Sequence, residues 1–350
     1  MLAPFLLRPD NFTPPGRTPW GGRNIVSKYK DLGPAMQGAL VGESWEVSVE
    51  PDFPSRCAEG GETLAERVAE DPPGYLGREA AGGRRATALL VKLLDAADDL
   101  SVQIHPADDY RGLAPGESGK PESWYVLARE PGAGIYLGLR AGVTEASLRE
   151  ALEQVRDVSK LLAFVSVEPG DFFVIDAGTA HAVGRGVTLV EPQHVAPGCR
   201  GVTYRFWDWN RRYDAAGRVD AHGAPRALHV NDALAVTAWD APREDALLSA
   251  RRLRAGAPVL EGPATLVDLA GGTGVASEHL RVSRVAGTGA LGLPDADVLR
   301  AVTVVAGSVR IEAGGASLVA GLGRSAVIPA NASGVRLTLA AAHAVVSRVA

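Results

Sequence analysis

Short apolar runs separated by glycine and proline turns make up most of this chain. Alternating polar and apolar residues over 42–48 predict a half-buried strand, and the apolar run over 88–94 predicts a buried one. Further strand-like segments lie at residues 123–128, 135–139, 172–175, 187–190, 202–209, 302–305, 309–312, 326–329 and 335–339. Short strands at this spacing are typical of a sandwich or barrel. The pattern therefore predicts a mainly β fold.

Helical patterns are few and short, over residues 64–70, 144–155 and 231–236. The second has Thr144 as its expected N-cap, with Ser147 in the position of the capping-box partner. Residues 210–250 otherwise look like a connector, and a second β block begins at about residue 255. We therefore predict two jelly rolls with a few short helices. Residues 1–245 would hold an N-terminal extension, a metal-binding jelly roll and the connector, and residues 246–350 a second jelly roll.

A weak internal repeat relates the two blocks. Residues 174–181 align with residues 327–334, and each segment follows a strand, a glycine turn and another strand. The first copy ends on His181, whereas the second has Gly334 at that position. A duplication of this kind keeps the fold and loses the histidine, so we expect no metal in the second jelly roll.

Composition and charge limit the partners that the chain can have. The formal net charge is -5, which argues against a nucleic-acid surface and means that an anionic substrate needs a local cluster of cations. No apolar window approaches the length of a membrane span, and residues 1–7 lack the features of a secretory signal. Cys57 and Cys199 have no CxxC partner, so no disulfide is expected. We expect a cytoplasmic monomer or weak homo-oligomer that acts on a small molecule.

The candidate chemistry centres on the segment 100–106. In a strand, Ser101, Gln103 and His105 point to one face while the apolar residues between them point to the other. Glu122 and His181 are the natural candidates to complete a set of metal ligands with Gln103 and His105. Imidazole nitrogen together with amide and carboxylate oxygen suits a catalytic zinc with one open position. The remaining histidines have no such neighbours, and we expect them to be structural or exposed: His194, His222, His229, His279 and His343.

Two levels of resemblance follow from these residues. The segment 170–181, with Gly170, Asp176, Gly178 and His181, resembles the second motif of the cupin superfamily, and residues 103–105 resemble its first. Read together, segments 20–22, 42–46, 100–106, 119–125, 178–182, 191–193 and 203–209 resemble type I mannose-6-phosphate isomerases in order and spacing. The short stretch between Glu122 and His181 resembles the compact bacterial form. The resemblance covers residues 15–212 most strongly.

The resemblance implies a fold, a reaction and a set of roles. It implies one Zn²⁺ per chain on Gln103, His105, Glu122 and His181, and interconversion of mannose 6-phosphate and fructose 6-phosphate through a cis-enediol. It implies that Arg205 and Lys120 are catalytic and that Lys92 belongs to the same site. We expect Lys92, Glu191 and Ser101 to bind the sugar phosphate, Ser101 because it shares a wall with Gln103 and His105. Two departures from the family pattern are Asp176 and the longer path over residues 196–201, which affects the placement of Arg205.

Several alternatives remain open at this stage. Lys92 could be an edge lysine that reaches solvent, and Ser101 could be bonded only to backbone. Lys120 could transfer protons or hold phosphate, and the base is not identified. Two histidines and a carboxylate also suit ferrous iron in a cupin oxygenase, although the amide, Lys120 and Arg205 fit a sugar phosphate better. A sugar-phosphate sensor on the same scaffold is the non-enzymatic alternative.

Overall fold

The computed structural model describes residues 1–254 and 263–350. It is 39% strand and 16% helix, which confirms the prediction of a mainly β protein with few helices. The predicted start of the second β block at about residue 255 lies outside the described residues. Among the residues that are described, no helix has the length and apolar composition needed to cross a membrane.

Twenty-two strands are described, most of them short. Those before the gap are β1 (Phe5–Leu6), β2 (Glu43–Val47), β3 (Leu89–Asp95), β4 (Val102–Ile104), β5 (Glu117–Ser118), β6 (Glu122–Arg129), β7 (Gly134–Leu139), β8 (Leu162–Ser166), β9 (Phe172–Ile175), β10 (His181–Val183), β11 (Val187–His194), β12 (Arg200–Gly201), β13 (Tyr204–Trp207), β14 (Arg212–Tyr213), β15 (Ala224–Pro225) and β16 (Arg252–Leu253). Those after it are β17 (Ala264–Ala270), β18 (Leu280–Gly292), β19 (Arg300–Ala313), β20 (Ala316–Gly321), β21 (Ser325–Ile328) and β22 (Arg336–Val349).

The α-helices are α1 (Leu64–Glu70), α2 (Pro72–Leu76), α3 (Glu145–Glu153), α4 (Val230–Val236) and α5 (Glu244–Arg251). The shorter helical turns are a π-helix over Ile25–Tyr29 and 3₁₀ turns over Pro34–Met36, Gly77–Gly83 and Val158–Leu161. The predicted capping box of α3 is confirmed, because Ser147 N donates to Thr144 Oγ1 and Thr144 N donates to Ser147 Oγ. Helix α5 lies in the segment interpreted as connector, where Leu247 packs into the core.

Three large antiparallel sheets and two small two-stranded ones, β5-β12 and β14-β15, are present in the described residues. A six-stranded sheet has the order β16-β9-β6-β11-β3-β2, and a five-stranded sheet has the order β13-β4-β10-β7-β8. Trp124, Val126 and Leu189 of the first pack against Ile135 and Leu137 of the second in one apolar core. The two sheets therefore enclose an interior between them, and the site described below lies at its polar end.

The third sheet has seven strands, in the order β1-β21-β19-β22-β18-β17 with β20 beside β19. Residues 302–305 and 309–312, predicted as two strands, belong to the single strand β19. Gly307, with a φ of +62°, allows the chain to continue there through a bulge. One face of this sheet packs on the six-stranded sheet and the other encloses its own apolar core.

The two halves are also joined through strands. β1, at the start of the chain, pairs with β21 of the seven-stranded sheet, and β16 pairs with β9 of the six-stranded sheet. Buried Lys30 donates to Glu46 Oε1 at 2.5 Å and to Gly323 O at 2.9 Å, and so links the first half to the second. The division between residues 245 and 246 stays a prediction.

Candidate active site

Strands of both enclosing sheets bring the four predicted metal ligands to one end of the interior. Glu122 is the first residue of β6 in the six-stranded sheet, and His181 is the first residue of β10 in the five-stranded sheet. Gln103, in the middle of β4, lies directly opposite His181 in the antiparallel register, and His105 follows the end of β4. Residues far apart in the sequence therefore meet at one place.

His105, Glu122 and His181 form a compact buried cluster, here called the metal cluster. His181 Nε2 lies 3.1 Å from Glu122 Oε1, and His105 Nε2 lies 3.4 Å from Glu122 Oε2. The two Nε2 atoms are 3.2 Å apart. Four ligand atoms in a tetrahedron at about 2.0–2.1 Å from zinc are separated by roughly 3.3 Å. The observed separations fit such an ion.

Hydrogen bonds on the far side of each ring fix which nitrogen faces the cluster. His105 Nδ1 donates to Val202 O at 2.9 Å, and His181 Nδ1 donates to Thr179 O at 2.8 Å. Each Nε2 therefore turns a lone pair inward. Burial, followed by the charge of Lys120, lowers the pKa of His105 to about 3, so this ring is neutral. Glu122 Oε1 has no hydrogen-bond donor among the described residues. The buried lone pairs suit a cation.

Gln193 orients the carboxylate of the cluster, a role that the sequence reasoning missed. It lies opposite Glu122 in the ladder between β11 and β6, and its Nε2 donates to Glu122 Oε2 at 2.5 Å. Ligating carboxylates are commonly held in this way, because the bond fixes the oxygen that faces the metal. Its place in the 191–193 motif was the available signal.

A cavity of about 450 Å³ adjoins the cluster, and Gln103 lines it. Among the described residues, the cationic side chains in its wall are Arg17, Lys92, Lys120, Arg200, Arg205 and Arg226. The acidic ones are Glu43, Glu117 and Glu191. Glu43, Arg17, Arg200 and Arg226 were not predicted as site residues, and His229, expected to be structural or exposed, also lines the cavity. A cavity with this charge distribution is suited to a small anion.

Lys92 and Glu191 lie together on the wall formed by the six-stranded sheet. Lys92 is buried rather than reaching solvent: its Nζ lies 3.9 Å from Glu191 Oε2 and 4.3 Å from the ring centroid of Trp45. Trp124 Nε1 donates to Glu191 Oε1 at 2.9 Å. Burial, and next the charge of Glu122, raise the pKa of Glu191 to about 8. This wall therefore holds a carboxyl group that titrates near neutral pH.

Lys120 extends into the same cavity, two residues before Glu122. Its Nζ donates to Thr203 Oγ1 at 3.1 Å. Burial, together with the charge of Lys92, lowers the pKa of Lys120. The residues before Arg205 that depart from the family pattern contribute here, because β12 pairs in parallel with β5 next to Lys120. The longer path thus forms part of the cavity wall.

Arg205 and Ser101 form the opposite wall. Arg205 pairs with Gln103 in the register of β13 and β4, and its Nε donates to Ser101 Oγ at 2.9 Å. Ser101 is therefore bonded to a side chain, not only to backbone. Asp176, the other departure, lies away from this cavity and forms an ion pair with Arg251 of α5. The structure thus brings all nine predicted site residues to one cavity or to the metal cluster beside it.

The chain is similar in sequence to several known proteins. It is 35% identical over 225 residues to the mannose-6-phosphate isomerase of Streptococcus mutans, and the match covers 62% of this chain and 63% of that protein. A mannose-6-phosphate isomerase of Bacillus subtilis is 34% identical over 221 residues, with 62% and 64% covered. The chain thus matches less than two thirds of the length of these relatives. No family model matches.

The fold comparison extends over almost the whole chain. The crystal structure of mannose 6-phosphate isomerase from Bacillus subtilis superposes with a TM-score of 0.78 and 25% identity, covering 99% of this chain and 100% of that one. The isomerase from Salmonella typhimurium gives a TM-score of 0.67 at 16% identity, which concerns the fold alone. The resemblance predicted from the motifs is confirmed.

Proposed function

Since this chain is a relative of mannose-6-phosphate isomerases in sequence and in fold, we propose that it interconverts mannose 6-phosphate and fructose 6-phosphate with one Zn²⁺ per chain. The observation that carries the proposal is the metal cluster of His105, Glu122 and His181 beside a cavity rich in cations. The relatives supply the substrate and the reaction, and this site supplies residues that suit both.

The residues that would hold zinc are His105, Glu122, His181 and Gln103. The first three place their ligand atoms within 4.8 Å of one another, and Gln103 lies opposite His181. When bound, zinc supplies a Lewis acid that polarises the sugar oxygens at the reacting carbons. Gln193 keeps the Glu122 carboxylate oriented toward the cluster. Gln103 also lines the cavity, so a metal held by these residues would lie beside the space proposed for the sugar.

Cationic side chains would bind the phosphate and the negative charge that develops on the cis-enediol. Arg205 is fixed by Ser101 beside Gln103, so its planar guanidinium lies at the end of the cavity nearest the cluster. Lys120 faces the same end from the other wall. Lys92, paired with Glu191 and partly covered by Trp45, provides a charge that the sugar phosphate can reach.

The proton that moves between C1 and C2 needs a group that can accept it and return it. Lys120 and Glu191 are the two candidates among the buried cavity groups, since despite burial the charges of Glu43 and Glu191 raise the pKa of the third, Lys92. The variants Glu191→Gln and Lys120→Met distinguish the two groups by hydrogen exchange. Replacing the residue that carries the proton should stop exchange of the C2 proton of mannose 6-phosphate with ²H₂O. Replacing a residue that only contacts the phosphate should raise KM and leave exchange per turnover unchanged.

A coupled assay that converts mannose 6-phosphate to fructose 6-phosphate tests the main proposal. We expect turnover in the zinc-loaded protein, loss after chelation and recovery with added zinc. His105→Ala and His181→Ala remove metal and activity together, whereas His222→Ala, an exposed histidine, keeps both. Full turnover after complete chelation would contradict the zinc role. Oxygen consumption with bound iron and no isomerisation would favour the oxygenase alternative.

A further inference from the structure

The interior of the seven-stranded sheet ends in a second polar cleft, which the proposed reaction does not use. It has a volume of about 230 Å³, and Arg281, Arg300, Arg348 and Asp268 line it with apolar walls from Leu293 and Val346. These residues lie on the face that carries the apolar core of this sheet, since Val285, Val302 and Val346 belong to that core. The cleft is therefore part of the interior of the second β block.

The three arginines form a row across three adjacent strands, here called the arginine row. Arg281 of β18 lies directly opposite Arg348 of β22. The ladder of β22 with β19 pairs Ala301 with Ser347, and its next position places Arg300 opposite Arg348. Neighbouring strands are about 4.8 Å apart, and like charges directly opposite each other destabilise a sheet. Repulsion between the three arginines therefore destabilises the sheet, and strand pairing does not require arginine at these positions.

Within the described residues, no carboxylate forms an ion pair with any of the three guanidinium groups. Arg281 donates to Ser277 O and Leu280 O, Arg300 to Pro294 O and Ala332 O, and Arg348 to Val349 O, all of them neutral carbonyls. Burial, and next the charge of Arg281, lower the pKa of Arg348. Asp295 acts electrostatically on Arg300, and Asp268 acts on Arg348, but neither forms an ion pair with these groups in the described residues, so part of the positive charge is left uncompensated.

The one carboxylate in the lining is already engaged. Asp268 accepts from Ser283 Oγ at 3.2 Å and from Thr273 N at 3.3 Å. Arg300 is only 2% exposed, and its buried Nε has no hydrogen-bond partner among the described residues. A buried unpaired donor is costly, so a cleft that keeps one is suited to an acceptor from outside the chain.

We propose that the arginine row binds an oxyanion, the phosphate group of free phosphate or of a small phosphate monoester. Planar guanidinium groups bind tetrahedral oxyanions through paired, charge-assisted hydrogen bonds, and a row of three provides more donors than one anion needs. The apolar walls at Leu293 and Val346 leave room for a small organic group attached to the phosphate. This site is separate from the cavity beside the metal cluster and carries its own residues.

Calorimetric titration with inorganic phosphate at constant ionic strength tests the proposal. Arg205→Ala weakens phosphate binding at the proposed active site, where Lys92 and Lys120 remain, so the arginine row is identified by the part of the remaining binding that its own variants remove. Adding Arg348→Gln or Arg281→Gln to Arg205→Ala should weaken that binding at least 10-fold. Arg281 and Arg348 are both partly exposed, so at least one of the two variants should fold, and one folded variant is enough for the test. Glycerol 1-phosphate in place of phosphate distinguishes a monoester from the free anion.

The matched control is Arg336→Gln, which removes an exposed arginine from the same strand. It should leave phosphate binding unchanged, and Arg348→Gln alone should leave isomerase activity unchanged. Arg348→Gln should also raise the melting temperature in phosphate-free buffer, because it relieves repulsion in the row, while losing the rise that phosphate produces in the wild type. The proposal is overturned if Arg205→Ala abolishes all phosphate binding, or if both row variants bind phosphate as tightly as their parent.

Discussion

The two β interiors of this protein share a plan and differ in how they treat buried charge. Each is apolar along most of its length and polar at one end. At the polar end of the first, Lys92 lies beside Glu191 and two imidazoles face Glu122. At the polar end of the second, the arginine row has only neutral carbonyl acceptors. The first interior thus pairs part of its buried charge with carboxylates of its own, while the arginine row has no ion-paired carboxylate within the described residues.

The comparison is tested most strongly by placing a charge within the apolar part of the second interior. Val304→Asp buries an unpaired carboxylate at a fully buried position of β19, and should destabilise the protein by about 4 kcal/mol or more. Val319→Asp, at a 47% exposed position of β20, should change stability by less than about 0.5 kcal/mol. Urea unfolding measures both. Zinc bound per folded molecule should be unchanged; a folded Val304→Asp protein without metal would show that the two interiors are not independent.

A smaller effect is expected where the first interior presents a free cation. Arg205→Ala removes a guanidinium beside Gln103 and should lower kcat/KM by roughly 10²–10³-fold if, as proposed, this group stabilises charge that forms during the reaction. Metal content, measured by elemental analysis, should stay at the wild-type level. Arg185→Ala, which removes an exposed arginine, is the control. Loss of metal in Arg205→Ala would place this arginine with the cluster and not with the substrate.

The next effect concerns the orientation of a ligand. Gln193→Ala removes the bond to Glu122 Oε2 and should weaken zinc binding by about 10–100-fold, the range typical of groups that hold metal ligands. A zinc competition assay measures the affinity, and thermal unfolding without metal monitors folding. Gln154→Ala, on the surface after α3, should change neither. Unchanged zinc affinity in Gln193→Ala would contradict the orienting role.

The smallest effect is a dependence of stability on pH. The pKa of Glu191 is about 8 in the folded protein and about 4.3 in an unfolded chain, so its ionisation costs folding free energy that grows from pH 4 to pH 8 and then levels off. Glu191→Gln should therefore stabilise metal-depleted protein more at pH 8 than at pH 5, with a difference of at least about 1 kcal/mol. Glu150→Gln, exposed on α3, is the control. A gain that is equal at both pH values would show that Glu191 is not strained by burial.

Local patterns predicted the elements well, while the chemistry of the site needed motifs. Thr144 and Ser147 predicted the start of α3, and the apolar run before Asp95 predicted β3. The same run could not say whether Lys92 faces solvent or the interior, since that depends on which sheet covers the strand. Gly307 looked like a turn between two strands, because a bulge and a turn both need a positive φ. Helix α5 was missed because only Leu247 is buried on it.

The arginine row had no local signal at all. Arg281, Arg300 and Arg348 lie on three strands with separate sequence contexts, and only the register brings them together. Gln193 and Glu122 also meet only across a ladder, although both lie in segments that resemble the family motifs. Motifs found the predicted ligands because their spacing resembles that of a known family. Contacts between strands with no motif of their own have no such guide, so the structure was needed to find them.

The pairing of Phe5 and Leu6 with Val327 and Ala326 has a consequence for any attempt to split the protein. A fragment that begins after residue 263 would present β21 with its outer backbone groups unpaired, and such a bare margin recruits other strands and promotes self-association. A short synthetic peptide with the sequence of the first residues of the chain should pair with this exposed edge of β21 and keep the fragment from aggregating.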